Sequence, residues 1–174
     1  PTRSFDNAPI WREGAIPGPD EVAARVDRYF TPYHEALHAE IDRVRARHGH
    51  AVVLDGHSIR ATVPRFFAGR LPDFNLGTAD GASADPSLES LAARLLGEDR
   101  AFSSVVNGRF KGGWITRRCG RPREGVHALQ LEMAQAAYMD EAPPYVWDPG
   151  RAATLSAVLR RLVSALADWR PGRG

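Results

Sequence analysis

Midway along the chain, charged residues and glycines are set between two short apolar, strand-like segments. Asn107-Gly108-Arg109-Phe110-Lys111-Gly112-Gly113-Trp114-Ile115-Thr116-Arg117 comes first, and Gly125-Val126-His127-Ala128-Leu129-Gln130-Leu131-Glu132 follows. The first stretch is polar where a core would be apolar. That pattern suits a rigid sheet whose strand ends present several cations and one carboxylate to a small anionic ligand. Lys111 is the sole lysine among 23 Lys and Arg residues. An arginine-biased composition accounts for this, and so does a position that needs a compact ammonium rather than a planar guanidinium.

The flanking sequence reads as alternating helices and strands. Residues 1–18 carry Pro1, Pro9 and Pro17 with little periodicity and predict an extended segment. From Asp20 an apolar stripe of Val22, Val26, Tyr29, Tyr33, Leu37, Ile41 and Val44 runs at helical steps until Gly49 closes it. Pro32 is expected to kink or split that helix, with Thr31 as an N-cap. Ala51-Val52-Val53-Leu54 predicts a short buried strand ending at Asp55-Gly56-His57-Ser58. Turn formers from Pro64 to Pro86 predict a long ordered loop over 61–86. A helix capped by Asp85 follows, with Leu88, Leu91 and Leu95 as its stripe and Gly97 at its end. Strands are expected near 101–106, 114–117 and 126–132. A last helix buries Leu155, Val158, Leu159, Leu162, Val163 and Leu166.

Composition excludes several classes of function. With 174 residues, 43% hydrophobic and 25% charged, the chain suits one soluble domain with its own core. No apolar run approaches the ~20 residues of a membrane span, and the first residues have no signal-peptide pattern. The net charge of +2 comes with arginines spread along the chain, which argues against a nucleic-acid footprint. Cys119 is the single cysteine, so an intramolecular disulfide and a cysteine-based zinc site are both excluded, and a reducing cytoplasm is the expected compartment. The expected partner is a small anionic molecule; oligomeric state is not legible.

Three sets of residues are candidates for chemistry. His34-Glu35-Ala36-Leu37-His38 matches the pattern in which two histidines one helical turn apart bind zinc. The third ligand that such a peptidase needs is missing at the family spacings, so the motif reads as the polar flank of an amphipathic helix packed through Tyr33, Leu37 and Ile41. His57 leaves the end of an apolar strand beside Asp55, where ligands bind in open α/β sheets and where an acid can orient the ring. Glu132 shares a strand face with Gln130, whereas His127, Leu129 and Leu131 share the other. A carboxylate at the end of an apolar strand commonly marks a general base, and a surface glutamate is the alternative. His127 reads as a core histidine. Arg60, Arg109, Lys111 and Arg117 are the cations available to an anionic substrate.

Several long motifs agree with one family. Leu54-Asp55-Gly56-His57-Ser58-Ile59-Arg60, Val63-Pro64-Arg65-Phe66-Phe67-Ala68-Gly69-Arg70-Leu71-Pro72-Asp73-Phe74-Asn75-Leu76-Gly77-Thr78, the stretch from Asn107 to Arg117, and His127 to Glu132 with Tyr138-Met139 resemble the N-formylglutamate deformylase family, also called N-formylglutamate amidohydrolase. The likeness extends from Phe5-Asp6 to the last helix. It implies a zinc-carboxypeptidase-like α/β fold of three layers, with a mixed sheet between helices and zinc at strand ends. It also implies that His57 is the last zinc ligand and Glu132 the base acting on zinc-bound water. Arg60, Asn107, Arg109, Lys111 and Arg117 are then the substrate-binding candidates. The implied reaction is hydrolysis of N-formyl-L-glutamate to formate and L-glutamate, the last step of one histidine-degradation route.

Members of that family are longer. The likeness places a His and an acidic residue, as the other zinc ligands, and an Asn-Arg substrate pair before Pro1. Residues 1–174 are therefore expected to be a single but incomplete catalytic domain, its N-terminal part missing, that alone binds zinc poorly and is inactive. Two rival functions remain: a metallopeptidase built on His34 and His38, and a non-catalytic ligand-binding remnant of the fold.

Overall fold

The computed structural model describes residues 2–4 and 7–172; Phe5 and Asp6, where the family likeness begins, lie outside them. The helices are α1 (Pro19–Arg25), α2 (Thr31–His48), α3 (Pro86–Gly97), α4 (Trp114–Cys119) and α5 (Pro149–Asp168). The strands are β1 (Ala51–Ile59), β2 (Phe74–Gly77), β3 (Ser104–Val106) and β4 (Val126–Ala134). They form one four-stranded sheet in the order β1-β4-β2-β3. β1 runs parallel to β4, β4 antiparallel to β2, and β2 parallel to β3. The sheet is mixed and lies between helices, as expected.

Strand alternation sorts the core into two layers. On one face Leu129 and Leu131 of β4 and Phe74 and Leu76 of β2 pack with Leu88 and Leu96 of α3 and Leu155, Val158 and Leu162 of α5. On the other, Val126 and Ala128 pack with Ala51, Ile41 of α2 and Cys119 of α4. The capped start of α3 is confirmed, since the Asp85 side chain accepts a hydrogen bond from Ser87 N. His127 belongs to the first layer, where its Nδ1 accepts from Asp85 N at 3.1 Å and its ring meets Trp169 edge-on. Burial holds that imidazole below its usual pKa, and His50 adds to the depression while Asp85 opposes it.

Several expectations are corrected. The helix is divided next to Pro32, where a π-helical turn, Val26–Phe30, joins α1 to α2, but Thr31 does not cap it: Thr31 has helical angles and no side-chain cap. The wider turn absorbs the proline next to it. Only Leu37, Ile41 and Val44 of the long stripe reach the core, whereas Val22, Val26, Tyr29 and Tyr33 are exposed. On α5, Val163 is exposed as well. β1 continues to Ile59, so Asp55 and His57 lie within a strand and not in a loop. The expected loop over 61–86 contains β2, which sits inside the sheet. The strand near 101–106 is confined to Ser104–Val106. Residues 114–117 are helical in α4, not extended, because Thr116 and Cys119 turn inward onto the sheet. No helix among the described residues is long and apolar enough to cross a membrane.

Candidate active site

The parallel pairing of β1 and β4 sets His57 directly beside Glu132. Both point to the α2/α4 side of the sheet, beyond the point where those helices cover it. Asp55, two residues earlier on the same face, holds His57 Nε2 at 2.9 Å. That contact fixes the ring and leaves Nδ1 as its remaining polar atom. Glu132 is only 7% exposed. Burial pushes its carboxyl above the ordinary carboxylate value; His57 draws it back down and Asp55 adds to the rise. A carboxylate reluctant to stay ionised and aimed at a cavity is suited to accepting a proton.

The cavity has a volume of about 400 Å³, and Arg109, Lys111, Arg117 and Gln130 line it with His57 and Glu132. Its cations ride on a segment laid flat on the sheet. A Cβ at Gly77 would stand 2.5 Å from both Lys111 C and Gly112 N, so only glycine in β2 allows that backbone to settle there. Ala79 N donates to Lys111 O at 2.6 Å, and Gly113 N to Gln130 Oε1 at 2.6 Å. Gly112 has φ +112, a conformation that side chains rarely adopt. Arg117 Nε donates to Gly112 O at 2.9 Å, Lys111 Nζ lies 3.0 Å from Asp80 Oδ1, and the Arg109 guanidinium stands over the Phe67 ring. Each cation is thus held by an exposed or weak partner that a ligand carboxylate can outbid.

Not every candidate converges on this cavity. Asn107 lies outside it: its Oδ1 accepts from Thr78 N at 2.9 Å and its Nδ2 donates to Thr78 Oγ1 at 2.8 Å, tying the end of β3 to the loop after β2. Arg60 lines a separate cavity of about 270 Å³ with Ser58, Val63 and Tyr145. His34 and His38 lie on α2 and do not line the pocket. The His34 ring is packed between Phe30 and Trp114, with Nδ1 buried and unpartnered. Tyr33, expected to anchor that helix, is 57% exposed, so the helix docks through Leu37 and Ile41 instead. Sequence reasoning passed over Gln130 and Asp80. Gln130 was visible as the face-mate of Glu132; Asp80, in the loop after β2, carried no signal.

The family model for N-formylglutamate amidohydrolase matches residues 1–139. The chain belongs to this family. It is 45% identical over 169 residues to an N-formylglutamate deformylase of Pseudomonas aeruginosa, covering 97% of this chain and 64% of that protein. A Pseudomonas putida protein of the same name is 43% identical, with 97% and 63% covered. The crystal structure of N-formylglutamate amidohydrolase from Ralstonia eutropha JMP134 superimposes with a TM-score of 0.78 at 27% identity, covering 92% of this chain and 57% of that one. The chain therefore spans under two thirds of the length of these relatives. Zinc, which the family likeness implies, finds a partial fit. His57 offers one oriented imidazole, but among the described residues no group of three or more His, Cys, Asp or Glu side chains is placed to hold a metal ion.

Proposed function

We propose that the protein hydrolyses N-formyl-L-glutamate to formate and L-glutamate, as a zinc-dependent cytoplasmic enzyme at the end of a histidine-degradation route. The observation that carries this reading is the buried Glu132 carboxylate beside His57 in a cavity edged by Arg109, Lys111 and Arg117. The substrate has two carboxylates and an uncharged formamide, which calls for fixed cations around a site of proton transfer. Glu132 takes a proton from the attacking water while the water oxygen bonds to the formyl carbon. The carbon–nitrogen bond then breaks, and Glu132 returns the proton to the departing amine. Asp55 keeps the His57 ring in place throughout. Zinc, when bound with His57 as one ligand, supplies a Lewis acid that lowers the pKa of water to about 7.

The test is formate release from N-formyl-L-glutamate with stoichiometric zinc, on the 174-residue chain and on a protein extended to the length of its relatives. The expected result is weak zinc binding and little turnover by the short chain, and full turnover by the long one. Absence of turnover in the long protein would favour a non-catalytic ligand-binding role. Comparable turnover by the short chain would show that the ligands lie elsewhere in it.

A further inference from the structure

Among the described residues that line the cavity, Gln130 is the one polar side chain that the reaction above does not use. It is 5% exposed and lies on the same face of β4 as Glu132. Its Oε1 accepts the Gly113 N–H at 2.6 Å. A backbone N–H only donates, so the carboxamide cannot turn over without facing donor to donor. The Nε2 end is thereby directed to the cavity, where it has no partner among the described residues. A neutral side chain at this place, with its donor end locked, selects an acceptor on the ligand.

We propose that Gln130 is a specificity-determining residue that donates from Nε2 to the substrate carboxylate adjacent to the scissile amide; this rests on the function proposed above. Two residues along a strand separate Gln130 from Glu132 by about 6.6 Å. A water on Glu132 and the formamide fill that interval, which brings Nε2 to the carboxylate on the neighbouring carbon and not to the one at the end of the side chain. The same carboxamide pins Gly113, and with it the segment carrying Lys111 and Arg117, so substrate recognition and cation placement share one anchor.

The experiment compares N-formyl-L-glutamate with N-formyl-4-aminobutyrate, which keeps the terminal carboxylate and lacks the adjacent one. Binding to a metal-free, 15N-labelled protein of the relatives' length is followed by NMR at the Gln130 side-chain amide. That resonance is expected to move with N-formyl-L-glutamate and to stay in place with N-formyl-4-aminobutyrate. Gln130→Glu keeps the acceptor for Gly113 and replaces the donor by an anion. Its affinity loss for N-formyl-L-glutamate is expected to exceed its loss for the second ligand by on the order of 10-fold, the scale of a hydrogen bond to a charged group. Equal losses, with an unmoved amide resonance while both ligands bind, would reduce Gln130 to a loop anchor. If neither ligand binds the wild-type protein of the relatives' length, the deformylase reading fails and this inference fails with it.

Discussion

The two faces of β4 carry opposite kinds of residue over the same few ångströms. His127, Leu129 and Leu131 are sealed beneath α3 and α5. On the opposite face Val126 and Ala128 are equally buried under α2 and α4, but Gln130 and Glu132, farther along, meet a cavity edged by cations. One face therefore supplies stability along its whole length, whereas the other changes from core to chemistry in the step from Ala128 to Gln130. The strand holds a reluctant carboxylate because its reverse side fixes it in place. A site built this way is rigid without needing its own apolar contacts.

If the faces divide the work in this manner, the largest effect belongs to Glu132→Gln in a protein of the relatives' length. Turnover is expected to fall about 10²- to 10⁴-fold. Stability should move the other way. The folded-state pKa of Glu132 is raised, so the folded chain binds its proton more tightly than the unfolded chain does. Native stability therefore falls as the pH rises from the unfolded value through the folded one. The Gln variant is expected to have the higher melting temperature at pH 7–8, with the gap closing towards pH 4. A variant that is both inactive and less stable would break the comparison.

On the opposite face, Leu129→Ala is expected to lower unfolding stability by about 2–5 kcal/mol, measured by denaturant titration, while kcat well below the unfolding midpoint stays near wild type. A loss of kcat would mean that the two faces are coupled. Gly77→Ala falls between the two categories. Its methyl group meets the Lys111–Gly112 backbone, so a rise in KM and a stability loss of about 1–3 kcal/mol are expected together. The smallest effect is that of Asp55→Asn, with about a 10-fold fall in turnover. Removing Asp55 also takes away one influence that raises the Glu132 carboxyl, so the acidic limb of the kcat/KM profile should move to lower pH. An acidic limb that moved upward would show that the limb reports a group other than Glu132.

Much of this division was legible in the sequence. β4 and α5 announce themselves by runs of apolar residues at a single period, and α3 by its cap. The pairing of His57 with Glu132 followed from placing both at strand ends. Other features depend on the tertiary structure. β2 is four residues long and surrounded by turn formers, so its place at the centre of the sheet is invisible before β4 is there to pair with it. Trp114, Ile115 and Thr116 favour strands by type, but packing against β4 draws them into a helical turn. The stripe of α1 and α2 shows the limit of periodicity. It reports which residues share a face and not how fully a partner covers them; Val22, Val26, Tyr29 and Tyr33 only edge an open groove with Ile10, Trp11, Ile16 and Pro17 and remain exposed. Asn107 carries a further lesson. A carboxamide that closes a turn and one that binds a ligand look alike until their partners are known.

The pinned backbone at Lys111 has a practical consequence. A chain with one lysine offers a lysine-specific protease one bond, that between Lys111 and Gly112. In the folded chain this bond lies against Gly77, with the Lys111 carbonyl held by Ala79 N. A protease needs an extended, detached segment, so cleavage requires the cation-bearing loop to lift off the sheet. Digestion into two fragments would then act as a clock for that opening, and a bound dicarboxylate should slow it.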